Sequence, residues 1–110
     1  MEPVQSIFVR ALENGLFYEA SQLFLARWRK LVRVGHRDEK IYKALMHGAA
    51  AYDFLRKGDI RRAQESWKIY RKYRGLIRQG VGYFAFLKQA DELLLRMQRK
   101  YADILTPVIV

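Results

Sequence analysis

Two histidines and no cysteine narrow the chemistry open to this chain. Without a thiol there is no cysteine nucleophile, no thiolate metal site and no disulfide framework. His36 stands close to Asp38 and Glu39, the composition of a weak ion site. Zinc asks for three or four N, S or carboxylate ligands, and nothing else of ligand type is near in sequence, so no metal site and no cofactor are expected. Ser21, His47 and Glu19 are the residues from which a nucleophile, a base and an orienting carboxylate could be drawn. Ser21, however, falls in the middle of a helical pattern, without the strained strand-to-helix turn that exposes a nucleophile. The expectation is therefore a buried hydrogen-bonded polar cluster of Glu19, Ser21 and His47 between the second and third helices, since buried polar groups must find partners. Glu19 lies one turn into its helix, where a carboxylate favours the helix dipole, and an Arg on an adjoining helix is its natural partner. An enzyme or enzyme remnant using this cluster is the alternative reading.

The stronger chemical signal is positive charge. The 110 residues carry 21 Lys and Arg against 11 Asp and Glu, a formal net charge of +10. Such an excess attracts polyanions and makes nucleic acid the first partner to consider. Between Phe54 and Gly80 nine cations, Arg56, Lys57, Arg61, Arg62, Lys68, Arg71, Lys72, Arg74 and Arg78, meet only Asp59 and Glu65. On a helix Arg61, Lys68 and Lys72 share one outer stripe, and Arg71, Arg74 and Arg78 share another. A second group is Arg27, Arg29, Lys30, Arg33, Arg37, Lys40 and Lys43. The candidate surface for an anionic partner is thus Arg61, Lys68, Arg71, Lys72, Arg74 and Arg78. Charge runs are also the ordinary content of a solvated helix face. No Gly-rich phosphate loop, helix-turn-helix reading element or RNA-binding signature accompanies the charge, so the signal names an acidic partner, a nucleic acid or an acidic protein, without choosing between them.

Aromatic residues could stack on bases, but Phe17, Phe24, Trp28, Trp67, Tyr70 and Tyr83 fall on apolar helical stripes and are expected in the core. Tyr73, Phe84 and Phe86 lie off those stripes, which suits an exposed or interface role.

These residues must be positioned by helices. Apolar spacing of three and four marks helices over residues 4–13, 17–34, 39–57, 60–78 and 83–104. Asn14-Gly15 and Gly58 are stop signals of the left-handed type, and Asp38 and Asp59 stand where N-caps are needed. Gly48, Ala49, Ala50 and Ala51 suit a close helix–helix approach. The inward stripe of the fourth helix is Ile60, Ala63, Trp67, Tyr70 and Ile77. That of the last helix is Tyr83, Leu87, Ala90, Leu94, Met97, Tyr101 and Ile104, a strict three-four alternation. Residues 79–82 break the chain, and Thr106-Pro107 ends helical structure before the apolar tail Val108, Ile109 and Val110.

An internal repeat runs at a constant offset of 43: Leu12 with Leu55, Gly15 with Gly58, Phe17 with Ile60, Ala20 with Ala63, Phe24 with Trp67. Each unit reads helix, Gly turn, then a helix in which a small Ala permits close crossing and an aromatic fills the space beside it. This is the logic of tetratricopeptide-type hairpins. The expected fold is an all-α compact bundle of about five helices in one domain: a first hairpin over residues 4–34, a second over 39–78, and a C-terminal capping helix over 83–104 that buries an otherwise exposed face.

Gly15, Phe17, Tyr18, Glu19, Ala20, Phe24 and Trp28, followed by Leu45-Met46-His47, Ala49-Ala50-Ala51, Leu55-Arg56-Lys57-Gly58-Asp59 and Ala63, resemble the two pattern segments of the family called domain of unknown function 309. The resemblance covers about residues 8 to 70. It implies a compact helical domain and no known activity. Where the family pattern has His-Glu, a later Glu and a Gln, this chain has Ser21-Gln22, Leu25 and His47, so the family's polar cluster lacks its carboxylates and its His here.

The reading that follows is a non-enzymatic helical binding module with a basic surface for an acidic partner. A helical scaffold that takes a peptide is a further alternative, and the stripe of the last helix could serve a homodimer. No uncharged apolar run approaches the ~18 residues of a membrane span, and no signal peptide is visible; a cytoplasmic protein is expected.

Overall fold

The computed structural model describes residues 2–77 and 83–105. Five α-helices follow one another: α1 Val4–Glu13, α2 Phe17–Arg33, α3 Glu39–Arg56, α4 Ile60–Tyr73 and α5 Tyr83–Leu105, with a short 3-10 turn, Arg74–Leu76, after α4. There is no strand among the described residues, and the fold is a small all-α bundle. No described helix is long and apolar enough to cross a membrane. The breaks at residues 79–82 and at Thr106-Pro107, and the tail beyond, lie outside the described residues.

Three helices stop for one local reason. Gly15, Gly35 and Gly58 have φ of 70°, 65° and 79°, a left-handed conformation that costs a residue with a Cβ but not glycine. Each sits one place past the helix cap and closes two bonds back onto the last turn. After α1, Gly15 N–H reaches Leu12 O at 3.1 Å and Leu16 N–H reaches Ala11 O at 2.9 Å. The same pair recurs at Gly35–Val32 with His36–Leu31, and at Gly58–Leu55 with Asp59–Phe54. These bonds satisfy carbonyls that the helix end would leave unpaired.

α3 is the centre of the bundle, packed most extensively against α2 and α4 and touching α5. It therefore buries ten of its eighteen residues and, before its last two residues, Leu55 and Arg56, reaches the surface along one strip: Glu39, Lys40, Lys43, His47, Ala50 and Phe54. Enclosure on so many sides demands small residues. A Cβ on Gly48 would lie 2.7 Å from Leu94 Cδ1 and 3.1 Å from Tyr70 Cδ1. Ala20 and Ala63, the matched small residues of α2 and α4, are both fully buried, and the aromatics after them, Phe24 and Trp67, join the core. Phe24 stacks on Phe8 of α1 with ring centres 3.7 Å apart. α5 lies along α1 and also touches α4 and α3, closing the bundle.

Several boundaries and faces differ from the sequence expectation. α4 does not run to residue 78. It tightens after Tyr73, and Ile77 is extended, with φ −75° and ψ 112°. Gly75, a poor helix former, occupies that turn, and Ile77 is carried into the core. Asp38 stands at the start of α3, but its carboxylate accepts no capping hydrogen bond; it faces Arg37 instead, 4.0 Å away. Asp59 does cap α4, accepting from Arg62 N–H at 3.2 Å. The α5 stripe is fully buried only in its middle, at Leu87, Ala90 and Leu94; Met97 and Tyr101 are half-buried against the core, while Tyr83 and Ile104 are exposed. A strict three-four repeat drifts on a straight helix, and Tyr101 leaves helical geometry at φ −121°, after which Leu105 turns inward. That middle section is packed in this chain's own core. Ile60 is exposed although Phe17, its repeat partner, is half-buried. Phe17 is held between Tyr52, 5.4 Å away by ring centres, and the Arg56 guanidinium at 4.8 Å.

Gly58→Ala tests the stop signals without a steric confound, because no neighbour lies within 4 Å of a Cβ there. Its cost in urea unfolding is expected to be about 1–2 kcal/mol, the penalty for left-handed backbone. Gly75→Ala, equally open but without a positive φ, is expected to be neutral or stabilising. Equal effects of the two substitutions would contradict this account of the turn.

Candidate anion-binding surface

The cations of α4 divide by what they touch. Arg61 lies 3.3 Å from Glu65 and Arg62 lies 3.6 Å from Asp59, both pairs on the surface. Lys68, Arg71 and Lys72 are exposed and form no ion pair among the described residues. Arg78 lies outside the described residues.

Arg74 departs from the expected surface altogether. Its Nε and Nη2 donate to the two carboxylate oxygens of Asp91 on α5, at 2.9 and 2.8 Å. Asp91 is 1% exposed. The Tyr70 hydroxyl also donates to Asp91 Oδ1, and lies 3.2 Å from the Asp91 carbonyl oxygen. A buried carboxylate is costly unless a cation and further donors satisfy its oxygens, and the two-pronged guanidinium contact is the strong form of that pairing. Burial, then the hydrogen bond to Asp91, pushes the Tyr70 hydroxyl above its ordinary pKa, so it stays protonated and keeps donating. Arg74 is likewise held more firmly in its charged form by Asp91. The cluster locks α5 onto the turn that ends α4, so the Arg74 charge is already engaged by Asp91. Asp91 escaped the sequence reading because a charged residue inside an apolar stripe reads as solvent-facing. The available signal was its spacing, four residues after Leu87 and three before Leu94, both inward.

Lysines from two helices converge around Tyr73. The ammonium groups of Lys40 and Lys43 on α3 each lie 5.5 Å from the ring centre, and that of Lys72 lies 5.2 Å away. Lys43 also stands 5.8 Å from the Trp28 ring of α2. Trp28, expected in the core, is half-buried, and its indole N–H donates to Glu39 at 2.6 Å. None of the three lysines forms an ion pair among the described residues. His47 follows one turn after Lys43. Burial, reinforced by the Lys43 charge, lowers its pKa from the usual 6.5 and keeps the imidazole neutral at pH 7.

The expected polar cluster does not assemble. Glu19 is exposed and forms no ion pair among the described residues. Ser21 is buried, but its hydroxyl donates to the Tyr18 carbonyl of its own helix at 2.7 Å. No hydrogen bond among the described residues joins Ser21, Glu19 or His47 to one another. A mid-helix hydroxyl can always turn back to a carbonyl of the preceding turn, which removes the need for a partner on α3. His36 Nδ1 accepts the Asp38 backbone N–H at 3.0 Å and lies 3.9 Å from the Asp38 carboxylate. The described residues contain no group of three or more His, Cys, Asp or Glu arranged to hold a metal.

Comparison of the chain with protein-family models, with curated proteins and with solved structures gives no match.

Arg74→Leu should cost ~2–4 kcal/mol in urea unfolding, because it leaves a buried carboxylate without its cation. Lys68→Gln on the same helix should stay within about 0.5 kcal/mol of the parent. Equal stability of the two variants would return Arg74 to the binding face. His47 supplies a pH test. Its folded-state pKa is depressed, so its contribution to stability is fully present above 6.5 and is lost as pH falls below that value. In parallel titrations His47→Gln should show a shallower loss of stability than the parent just below pH 6.5; superimposable curves would contradict the burial of His47.

Proposed function

We propose that this chain is a non-enzymatic helical binding module whose basic surface takes an acidic partner, a nucleic acid or an acidic protein. The observation that carries the reading is the set Lys68, Arg71 and Lys72, exposed on α4 and without a carboxylate partner among the described residues, while Arg61, Arg62 and Arg74 are each paired. Coulombic attraction to a polyanion is unspent at the first three and partly spent at the others. Lys40 and Lys43 extend the unpaired charge onto α3.

The reading treats the two units around Gly15 and Gly58 as tetratricopeptide-like hairpins with α5 as their cap, in a cytoplasmic protein. The resemblance to domain of unknown function 309 stays within the proposal and supplies no activity. The enzyme alternative draws no support from Glu19, Ser21 and His47, which lack a common hydrogen bond.

Neutralising phosphates releases condensed counterions, so affinity should fall steeply with salt. Lys68→Gln, Arg71→Gln and Lys72→Gln together leave the buried Ala63, Trp67 and Tyr70 in place. In a salt titration against labelled duplex DNA, the slope of log affinity against log salt should drop by about 2–3 units relative to the parent. Polyglutamate serves as the acidic-protein probe in parallel. Failure of the parent to bind either polyanion at low salt would overturn the proposal.

A further inference from the structure

We infer that the surface formed by Tyr73, Lys40, Lys43, Lys72 and Trp28 is a binding site for single-stranded nucleic acid, with Tyr73 stacking on an unpaired base and the lysines contacting flanking phosphates. This rests on the acidic-partner reading and narrows it to one class of partner.

Three observations select that class. First, the three ammonium groups crowd within 5.5 Å of a single ring centre and none has a carboxylate partner among the described residues. The nearest candidate by sequence, Glu39, is engaged by the Trp28 indole at 2.6 Å. Like charges gathered without a counter-charge are mutually repulsive, and an anionic group entering between them removes that cost. Second, the lysines are interleaved with rings rather than set in a continuous charged stripe. Lys43 stands between Trp28 of α2 and Tyr73 of α4. A carboxylate-rich protein needs only the charge, whereas aromatic faces beside cations are the arrangement that holds unpaired bases and their backbone together. A duplex keeps its base faces stacked internally and cannot use them. Third, the lids over the ring are exchangeable. Ammonium groups on flexible four-carbon stems can swing from the Tyr73 ring to a phosphate, which vacates the face that a base then covers. Lys68, one turn before Lys72 on α4 and also exposed, continues the cationic track beyond the ring.

The test uses the full chain with fluorescein-labelled oligothymidylate, a hairpin duplex of equal charge, and unlabelled polyglutamate as competitor. The parent should bind the single strand more tightly than the duplex at equal salt. Tyr73→Leu should weaken single-strand binding about tenfold or more, with an unchanged salt slope, because a ring displaces no counterions. Tyr73→Phe, which keeps the ring, should bind like the parent. Lys40→Gln with Lys43→Gln should lower the single-strand salt slope by about 1.4 units. Circular dichroism confirms folding; were Tyr73→Leu unfolded, the lysine pair would decide, an unchanged slope overturning the inference and the expected drop upholding it. The inference also fails if Tyr73→Leu binds like the parent, if the duplex binds as tightly as the single strand, or if polyglutamate displaces the oligonucleotide as well as an unlabelled single strand does. Each of those outcomes leaves a basic binding module standing. Absence of parent binding to every polyanion at low salt sinks both.

Discussion

The enclosure of α3 is the constraint on which the rest of the structure depends. A helix packed against α2 and α4 along its length, and against α5 as well, cannot carry large side chains on every inward face. Gly48 allows Leu94 and Tyr70 to approach the α3 backbone closer than any Cβ would permit. Tyr70, seated there, is then within reach of Asp91. Until its last turn, enclosure leaves α3 a single outward strip, so the polar residues it contributes to the surface there fall in one line, with Lys40, Lys43 and His47 in succession. The juxtaposition of lysines from α3 with Tyr73 and Lys72 from α4 is thus a consequence of packing, because α3 and α4 are joined by the short turn at Gly58 and pair side by side.

Charge is distributed by the same logic. With a net charge of +10, carboxylates are the scarce partner. One of them, Asp91, is placed in the core and claims Arg74. Asp53, itself buried, is met by the exposed Lys57, and on the periphery Asp59 is taken by Arg62 and Glu65 by Arg61. Exposed pairs of this kind contribute little to stability, but they decide which cations remain available. Among the described residues, the cations of α3 and α4 without a carboxylate are, Arg56 apart, gathered toward the end of the bundle where α3 begins and α4 finishes.

Legibility in the sequence follows the range of the interaction responsible. The stops at Gly15 and Gly58 were readable because their cause lies within six residues of backbone. The buried positions Ala20, Ala63, Phe24 and Trp67 were readable because periodicity alone places them inward. The end of α4 was not readable, since the tightening after Tyr73 accompanies an ion pair from Arg74 to a residue seventeen positions on. Asp91 was hidden for the complementary reason: a lone acid in an apolar stripe acquires meaning only with its distant cation. Ser21 shows the opposite failure, where a distant partnership with His47 was expected and a local bond to the Tyr18 carbonyl sufficed. Tyr73 was marked by falling off the core stripe, but the lysines gathered around it come from two helices, and only their packing reveals the cluster.

That origin in two helices links binding to folding. Lys40 and Lys43 are about thirty residues from Lys72 along the chain, so the unfolded protein holds the same charges at low local density. A polyanion that bridges them would gain its extra affinity only from the assembled α3–α4 surface, and a ligand favouring the native state stabilises it by mass action. The free protein carries the converse burden, because three ammonium groups within 5.5 Å of one ring centre stand at separations comparable with the ~8 Å over which physiological salt screens charge. Repulsion in that patch is only partly screened and opposes the packing of α4 on α3, while the part-exposed Arg74 and the buried Asp91 hold the turn after α4 to α5. One residue past Tyr73 the chain passes from a surface where like charges gather to a contact in which a buried carboxylate meets its cation.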